Sequence, residues 1–60
     1  MTLTATAQDF KVGNTLITSE GHEFTITDFY GNGMWNARSR SGSKVVFEDE
    51  ARFYKIKVAA

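Results

Sequence analysis

His22 is the one histidine of the chain, and carboxylates stand close to it at Glu20 and Glu23. An imidazole beside a carboxylate can act as a general base or as a pH-dependent contact. Nucleophilic catalysis also requires a positioned hydroxyl or thiol, an orienting group for the base and oxyanion donors. Thr18 and Ser19 supply hydroxyls nearby, but the spacing identifies no third group. We therefore predict that His22 is an exposed loop residue, that the chain has no catalytic residues and that it is not an enzyme.

Metal and phosphate sites are the next candidates. Zinc needs a cluster of His, Cys or carboxylate ligands, whereas this chain has one histidine, no cysteine and scattered carboxylates. The Gly31-Asn32-Gly33 segment could cradle a phosphate only if a helix followed it. The next segment alternates like a strand instead. The prediction is therefore a tight turn at 31–33, with no metal and no cofactor.

Aromatic side chains can form an exposed platform that holds a peptide, a methylated ammonium group or a base. The chain has eight aromatic residues, and most of them must fill the core because Leu, Ile and Val together number only nine. Those beside the 31–33 turn are the ones expected to be exposed. Phe29, Tyr30 and Met34 are therefore the predicted contacts for a protein partner.

Opposite charges divide the chain into two halves. Residues 1–36 hold one basic and four acidic residues, while residues 37–60 hold six basic and three acidic residues, so the net charges are −3 and +3. Strand alternation puts Arg38 and Arg40 on one face, and it does the same for Lys55 and Lys57. If the fold sets these elements side by side, the four residues form a basic stripe that can contact the phosphates of nucleic acid. The alternative is that they are solvated side chains that protect edge strands from aggregation.

The elements that position these side chains are predicted to be strands, because glycines cut the chain into runs too short for ordinary helices. The predicted strands cover residues 14–18, 23–30, 34–41, 44–48 and 53–58. A bulge is expected near Asp28. Ser41-Gly42-Ser43 is expected to form the turn of an antiparallel hairpin, with Gly42 at positive φ. The acidic start of residues 48–52 predicts a single 3₁₀ turn before the last strand.

The alternation within each strand also predicts a core. In residues 34–41 the face that carries the large indole of Trp35 is expected to point inward, together with Ala37. In the last strand, Tyr54, Ile56 and Val58 share one face. The residues predicted to be buried are Phe24, Ile26, Trp35, Ala37, Val45 or Val46, and Ile56.

Length and composition set the outer limits. Sixty residues leave room for one core, so residues 9–60 are predicted to form a single small domain, preceded by a flexible N-terminal segment or edge strand at 1–8. The formal net charge is zero, which excludes a purely electrostatic function. The absence of cysteine favours a reducing, cytoplasmic setting. Residues 1–8 carry no positive charge and no long apolar run, so we predict neither a signal peptide nor a membrane partner.

Residues 12–57 resemble a small barrel of the Src-homology-3 (SH3) type. The resemblance lies in the Val-Gly opening at 12–13, the glycine at 21, the central hairpin and the short turn before the last strand. Tudor and KOW-type modules of nucleic-acid machinery share this plan, as do small bacterial and phage proteins. The resemblance implies an all-β, five-stranded SH3-like barrel with one 3₁₀ turn before the last strand.

One enzyme on that scaffold, the plasmid-encoded type of dihydrofolate reductase, is similar to this chain in its VGN and SEGHEF segments. That enzyme builds a pore from a Val-Gln-Ile-Tyr run in a tetramer. The corresponding stretch here is Val45-Val46-Phe47-Glu48, in which the glutamine and the tyrosine are absent. The similarity therefore favours the barrel and argues against the activity.

The resulting expectation is a non-enzymatic binding module. The favoured partner is nucleic acid or a nucleoprotein complex, bound through Arg38, Arg40, Lys55 and Lys57. The alternative is a protein–protein interaction module, such as a small phage or plasmid accessory protein that modulates a host protein. The sequence leaves a homo-oligomer open, and with it an oligomeric enzyme with a pore site.

Overall fold

The computed structural model describes residues 2–57, and these form six strands and two short 3₁₀ helices. The strands are β1 (Thr2–Thr4), β2 (Thr15–Ile17), β3 (Glu23–Gly31), β4 (Met34–Ser39), β5 (Gly42–Phe47) and β6 (Lys55–Lys57). The first 3₁₀ helix is Ala7–Asp9 and the second is Glu48–Phe53. Val58, which was assigned to the last strand, lies outside the described residues. Within residues 2–57, no helix is long and apolar enough to cross a membrane.

All six strands belong to one antiparallel sheet in the order β1-β6-β2-β3-β4-β5. Strands β2 to β5 follow one another as a meander, and β6 returns to lie between β1 and β2. The all-β prediction is confirmed. Five strands were predicted for the barrel, and residues 2–4 add a sixth by pairing with β6, which is the edge-strand alternative given for residues 1–8. The sheet is open, with β1 and β5 as its two edges.

The core lies on the inward side of this sheet. Its buried members are Ala5, Phe10, Leu16, Ile26, Ala37, Val46, Ala51 and Ile56. Four predicted core residues are among them, and Phe24 and Trp35 pack against the cluster while remaining partly exposed. Of the two adjacent valines, Val46 is buried and Val45 is exposed. The other buried residues come from β2 and from the segments around the two 3₁₀ helices.

Two irregularities interrupt the pairing of β3 with β4. The register shifts between Ile26 and Asp28, and again between Phe29 and Gly31. Each shift inserts one extra residue into β3, which increases the local twist of the strand. The bulge predicted near Asp28 is thus confirmed. Because of the shifts, Phe29 pairs directly with Trp35.

The hairpin between β4 and β5 turns at Arg40 and Ser41, since Ser39 pairs with Gly42. The predicted turn at 41–43 was one residue too late, and Arg40 therefore lies in the turn rather than in the strand. Gly42 has a φ of +146°, as predicted, a conformation that side-chain-bearing residues rarely adopt. The Ser39 hydroxyl donates to the Gly42 carbonyl over 3.2 Å and accepts the Ser41 N–H over 3.3 Å.

The second 3₁₀ helix is longer than the single turn predicted at 48–52. It continues to Phe53 and kinks at Glu50, whose φ and ψ are −101° and 16°. The Tyr54 N–H closes it by donating to the Ala51 carbonyl over 2.9 Å. The last strand consequently begins at Lys55 instead of Phe53.

The Lys44 side chain extends from the edge strand β5 across the inward side of the sheet. It pairs with buried Ala37 and so extends along the inward side. Its ammonium lies 4.7 Å from the ring centroid of Phe24 and 5.4 Å from that of Tyr54. Both distances suit cation–π attraction. The Lys44 side chain thus covers the core where no strand does.

Candidate functional site

The outward side of the sheet carries the basic residues. In the register of the strands, Lys57 stands opposite Thr15, Thr15 opposite Thr25, and Thr25 opposite Arg38. Residues directly opposite each other project to the same side, and the Thr15 and Thr25 hydroxyls accordingly lie 3.3 Å apart. Lys55 stands opposite Ile17 in the adjacent row. We call this outward surface of β6, β2, β3 and β4 the basic face.

The basic residues of this face form two groups rather than one continuous stripe. Lys55 and Lys57 lie on β6, whereas Arg38 lies on β4 with Arg40 in the turn beyond it. Strands β2 and β3 separate the groups, so Lys57 and Arg38 are three strand spacings apart, about 14 Å. A ligand that contacts both groups must therefore be extended.

A carboxylate interrupts the positive charge between the two groups. Glu23 Oε1 lies 3.5 Å from Lys57 Nζ, and both side chains are about half exposed. Such an exposed pair contributes roughly 0–1 kcal/mol and weakens further in salt. Within residues 2–57, Arg38 and Arg40 form no ion pair and no side-chain hydrogen bond. Their guanidinium groups, like the Lys55 ammonium, therefore have no such partner on the basic face among these residues.

A wide, shallow groove lies at the end of the sheet where the β2–β3 loop meets the β4–β5 turn. Its lining consists of Gly21, His22, Glu23, Thr25, Arg38, Ser39, Arg40 and Ser41. The backbone fixes the loop on one side, because the His22 N–H donates to Thr18 Oγ1 over 3.2 Å and the Thr18 N–H donates to the His22 carbonyl over 2.9 Å. The two guanidinium groups and the imidazole supply several hydrogen-bond donors here. Such a donor set suits an anion, above all a phosphate.

The same groove lacks the connections of a nucleophilic catalytic site. Ser39 and Ser41 lie 3.2 Å apart, and Ser39 also holds the turn. In the part of the chain that the structure describes, no hydrogen bond joins either hydroxyl to His22. The arrangement provides contacts for a bound group but no paired nucleophile and base.

The three residues predicted for a protein partner do not share one surface. Phe29 is 57% exposed and packs against Trp35 with a centroid distance of 4.4 Å, on the inward side of the sheet end. Tyr30, in the second bulge, is 55% exposed. Met34 is partly buried and lies on the outward side, opposite Phe47. The bulges in β3 are the physical reason, because each one changes which residue faces which side.

Sequence reasoning missed the apolar surface that Met34 does belong to. Val45 and Phe47 of β5 are 43% and 41% exposed, and they alternate with buried Val46. Since Met34 pairs with Phe47, the three side chains lie together on the outward side. The alternation of Val45, Val46 and Phe47 was the available signal, and it required choosing which valine faces inward.

Trp35 is anchored by a carboxylate that the sequence did not connect with it. The indole Nε1–H donates to Glu48 Oε2 over 3.1 Å. The Glu48 side chain lies against Gly33, where an added Cβ would come within 3.1 Å of Glu48 Cγ. The Glu48 N–H also donates to the Gly33 carbonyl over 2.9 Å. Glu48 therefore joins the 31–33 turn, β4 and the second 3₁₀ helix.

Neither a metal site nor a relative gives this surface an assignment. Across residues 2–57, no group of three or more His, Asp or Glu side chains is arranged to hold a metal ion. Comparison of the chain with protein-family models, with curated proteins and with solved structures finds no match. Its function must therefore be argued from the surfaces described above.

Proposed function

We propose that this protein is a non-enzymatic module that binds the phosphate backbone of nucleic acid, alone or within a nucleoprotein complex. The observation that carries the proposal is the pair of guanidinium groups, Arg38 and Arg40, which line the groove without a carboxylate partner among residues 2–57. Arginine forms bidentate contacts with phosphate. Lys55 and Lys57 extend the contact to the other side of the basic face.

The net charge of zero limits how strong this binding can be. No global field attracts the nucleic acid, so binding depends on local contacts. Each neutralised phosphate changes the salt slope by about 0.9 for duplex and about 0.7 for single strands, so four contacts give a slope of roughly −3 to −4. We expect weak, sequence-independent binding that is clearest at low salt.

We propose further that the sheet curls into an SH3-like barrel. The support is the contact of Lys44, on edge strand β5, with Tyr54, which directly precedes β6. The Ala5 N–H, just after the other edge strand, donates to the Tyr54 carbonyl over 3.0 Å. Both edges of the sheet thus approach the same residue. The reducing cytoplasm is the compartment we propose, because the chain has no cysteine and a secreted domain of this size commonly needs disulfides.

The test is a titration of the parent protein with fluorescent single-stranded and duplex oligonucleotides at two salt concentrations. Arg38→Ala combined with Arg40→Ala should weaken binding to every sequence and flatten the salt slope by about two units at most. The matched control is Lys11→Ala combined with Arg52→Ala, which removes two positive charges outside the basic face. Absence of binding by the parent at low salt refutes the proposal, and so does an equal loss of binding in the control.

A second candidate function is binding of a protein partner through Phe29 and Tyr30. The observation in its favour is that both rings are more than half exposed beside the 31–33 turn, since clustered exposed aromatics are typical of interfaces. Capture of partners from a lysate with and without nuclease separates the two candidates. Under the nucleic-acid proposal nuclease removes the captured material, whereas capture that survives nuclease and is lost in Phe29→Ser favours a protein partner.

A further inference from the structure

The outer edge of β5 carries backbone groups that no strand of the described chain satisfies. Two observations determine which residues of β5 bond to β4. A two-residue turn connects the paired residues Ser39 and Gly42 at one end, and the Glu48 N–H donates to the Gly33 carbonyl at the other. Hydrogen bonding alternates along an antiparallel ladder. Gly42, Lys44 and Val46 therefore bond to β4. The N–H and C=O groups of Ser43, Val45 and Phe47 are directed away from it.

The outward side of this edge carries no charge. Edge strands usually avoid pairing through charged side chains, prolines, bulges or inward-pointing charges. Here the outward positions are Ser43, Val45 and Phe47, and the last two are more than 40% exposed. The one charge of the strand, on Lys44, is on the inward side, over the rings of Phe24 and Tyr54, so it opposes pairing with a strand that does not supply the opposite charge.

We propose that β5 pairs antiparallel with β5 of a second copy of this chain, about a two-fold axis that passes through Val46. In this register Val45 of one copy stands opposite Phe47 of the other. Lys44 of each copy stands opposite Glu48 of the other, so each positive charge faces a negative one. In the single chain Glu48 Oε2 accepts the Trp35 indole N–H and Oε1 lies beside Gly33. The Lys44 ammonium therefore has to leave the rings of Phe24 and Tyr54 to reach the Glu48 carboxylate of the second copy.

The neighbouring two-fold registers fit less well. An axis at Lys44 opposes the two lysines to each other, which is destabilising for residues directly across a strand pair. An axis at Val45 sets Lys44 opposite Val46 and Glu48 opposite Gly42, so neither charge faces its opposite. That register would form more backbone hydrogen bonds, so side-chain complementarity is what favours the axis at Val46. The strand is complementary in charge to a second copy of itself. For this reason we propose a second copy, rather than an unrelated peptide, as the partner of this edge.

The pairing has a geometric consequence for the basic face. An axis perpendicular to the sheet keeps the outward sides of both copies on the same side, so the two basic faces become parts of one surface. Two linked sites bind an extended ligand more tightly than either site alone. The self-association itself does not depend on the proposed nucleic-acid function, and it is tested without any nucleic acid.

The first measurement is sedimentation equilibrium of the full chain from about 20 μM to 1 mM, because a single strand pair buries less than the roughly 1,000 Å² of a stable interface. We expect a reversible monomer–dimer equilibrium. Val45→Pro removes one edge N–H that β4 does not use, which an edge strand tolerates, and should weaken dimerisation at least tenfold. Val45→Ile keeps the N–H and serves as the matched control. A monomer at all concentrations overturns the proposal, as does a Val45→Pro protein that folds and dimerises like the parent.

Disulfide trapping tests the register and does not depend on the proline variant. The chain has no cysteine, and Cα atoms of a hydrogen-bonded antiparallel pair lie about 5.5 Å apart, within disulfide range. An equimolar mixture of Val45→Cys and Phe47→Cys should form the mixed disulfide at least fivefold faster than Val45→Cys alone forms its own. Faster self-linking of Val45→Cys assigns the axis to Val45 and overturns the proposed register. Equal and slow linking in all mixtures overturns the strand pairing.

Discussion

Removing the hydrogen bond between Trp35 and Glu48 should destabilise the domain by an amount that can be worked from its geometry. The indole N–H donates to a carboxylate over 3.1 Å in a part-buried position. Hydrogen bonds to charged groups contribute about 1.5–3 kcal/mol, and partial exposure lowers the expectation here to about 1–2 kcal/mol. Trp35→Phe removes the N–H but keeps an aromatic ring against Phe29, whose ring centroid lies 4.4 Å from that of Trp35. Glu48→Ala removes the acceptor.

A double-mutant cycle separates the bond from the other effects of each substitution. The coupling energy between Trp35→Phe and Glu48→Ala should be about 1–2 kcal/mol, because the double variant has no bond left to lose. Glu48→Gln keeps an acceptor but removes the charge, so it should lose about half of the bond energy. Urea denaturation followed by far-UV circular dichroism is the assay, since Trp35 is the only tryptophan and its replacement removes the fluorescence signal. For a domain of this size, 1 kcal/mol corresponds to roughly 4–8 °C in Tm.

Two results would refute this reasoning. A coupling energy near zero would mean that the indole and the carboxylate act independently, and that water replaces the bond without loss. A Glu48→Gln protein as stable as the parent would mean that Glu48 acts through its packing against Gly33, which glutamine keeps, and not through a charged bond to the indole. In either case the junction of the 31–33 turn with the second 3₁₀ helix would have to depend on the backbone bond from Glu48 to Gly33.

Two further predictions concern the core and the β4–β5 turn. Leu16 is fully buried, so Leu16→Ala should lower the free energy of unfolding by about 2–5 kcal/mol and leave much of the protein unfolded at 37 °C. Thermal denaturation is the measurement, and a near-parent Tm would contradict the packing of β2. Gly42 has open space around its Cβ position but a φ of +146°, so Gly42→Val should cost about 1–2 kcal/mol through backbone strain alone. Urea midpoints compare that variant with the parent, and equal midpoints would show that the turn tolerates a side chain.

The sequence was sufficient to predict the strands of the meander because each has a clear local signal. Alternation placed Ile26, Ala37 and Ile56 in the core, and Asp28 within an apolar run indicated the bulge. The hairpin turn was misplaced by one residue because Gly42 serves as the first residue of β5 instead of the centre of the turn. A glycine signal alone does not distinguish these two roles, since both need a positive φ.

The remaining features depend on contacts between distant parts of the chain. Phe10 and Ala51 are buried because the two 3₁₀ helices approach each other, and no periodicity marks such short segments. The separation of Phe29 from Met34 follows from the first bulge, between Ile26 and Asp28. Asp28 and the Phe29-Tyr30 pair predicted one bulge or change of direction, and did not indicate that there are two. The basic residues were assigned to shared strand faces, and only the strand order could tell that β2 and β3 lie between the two groups.

The insertion of β6 between β1 and β2 makes two strands depend on one. Among the described residues, β1 pairs with no strand except β6, whereas β2 also pairs with β3. If β6 leaves the sheet, β1 loses its backbone hydrogen bonds at the same moment, while the β2–β5 meander keeps its own. The protein therefore contains two units of local opening, and amides of β1 and β6 should exchange with solvent together, ahead of those in the centre of β3 and β4.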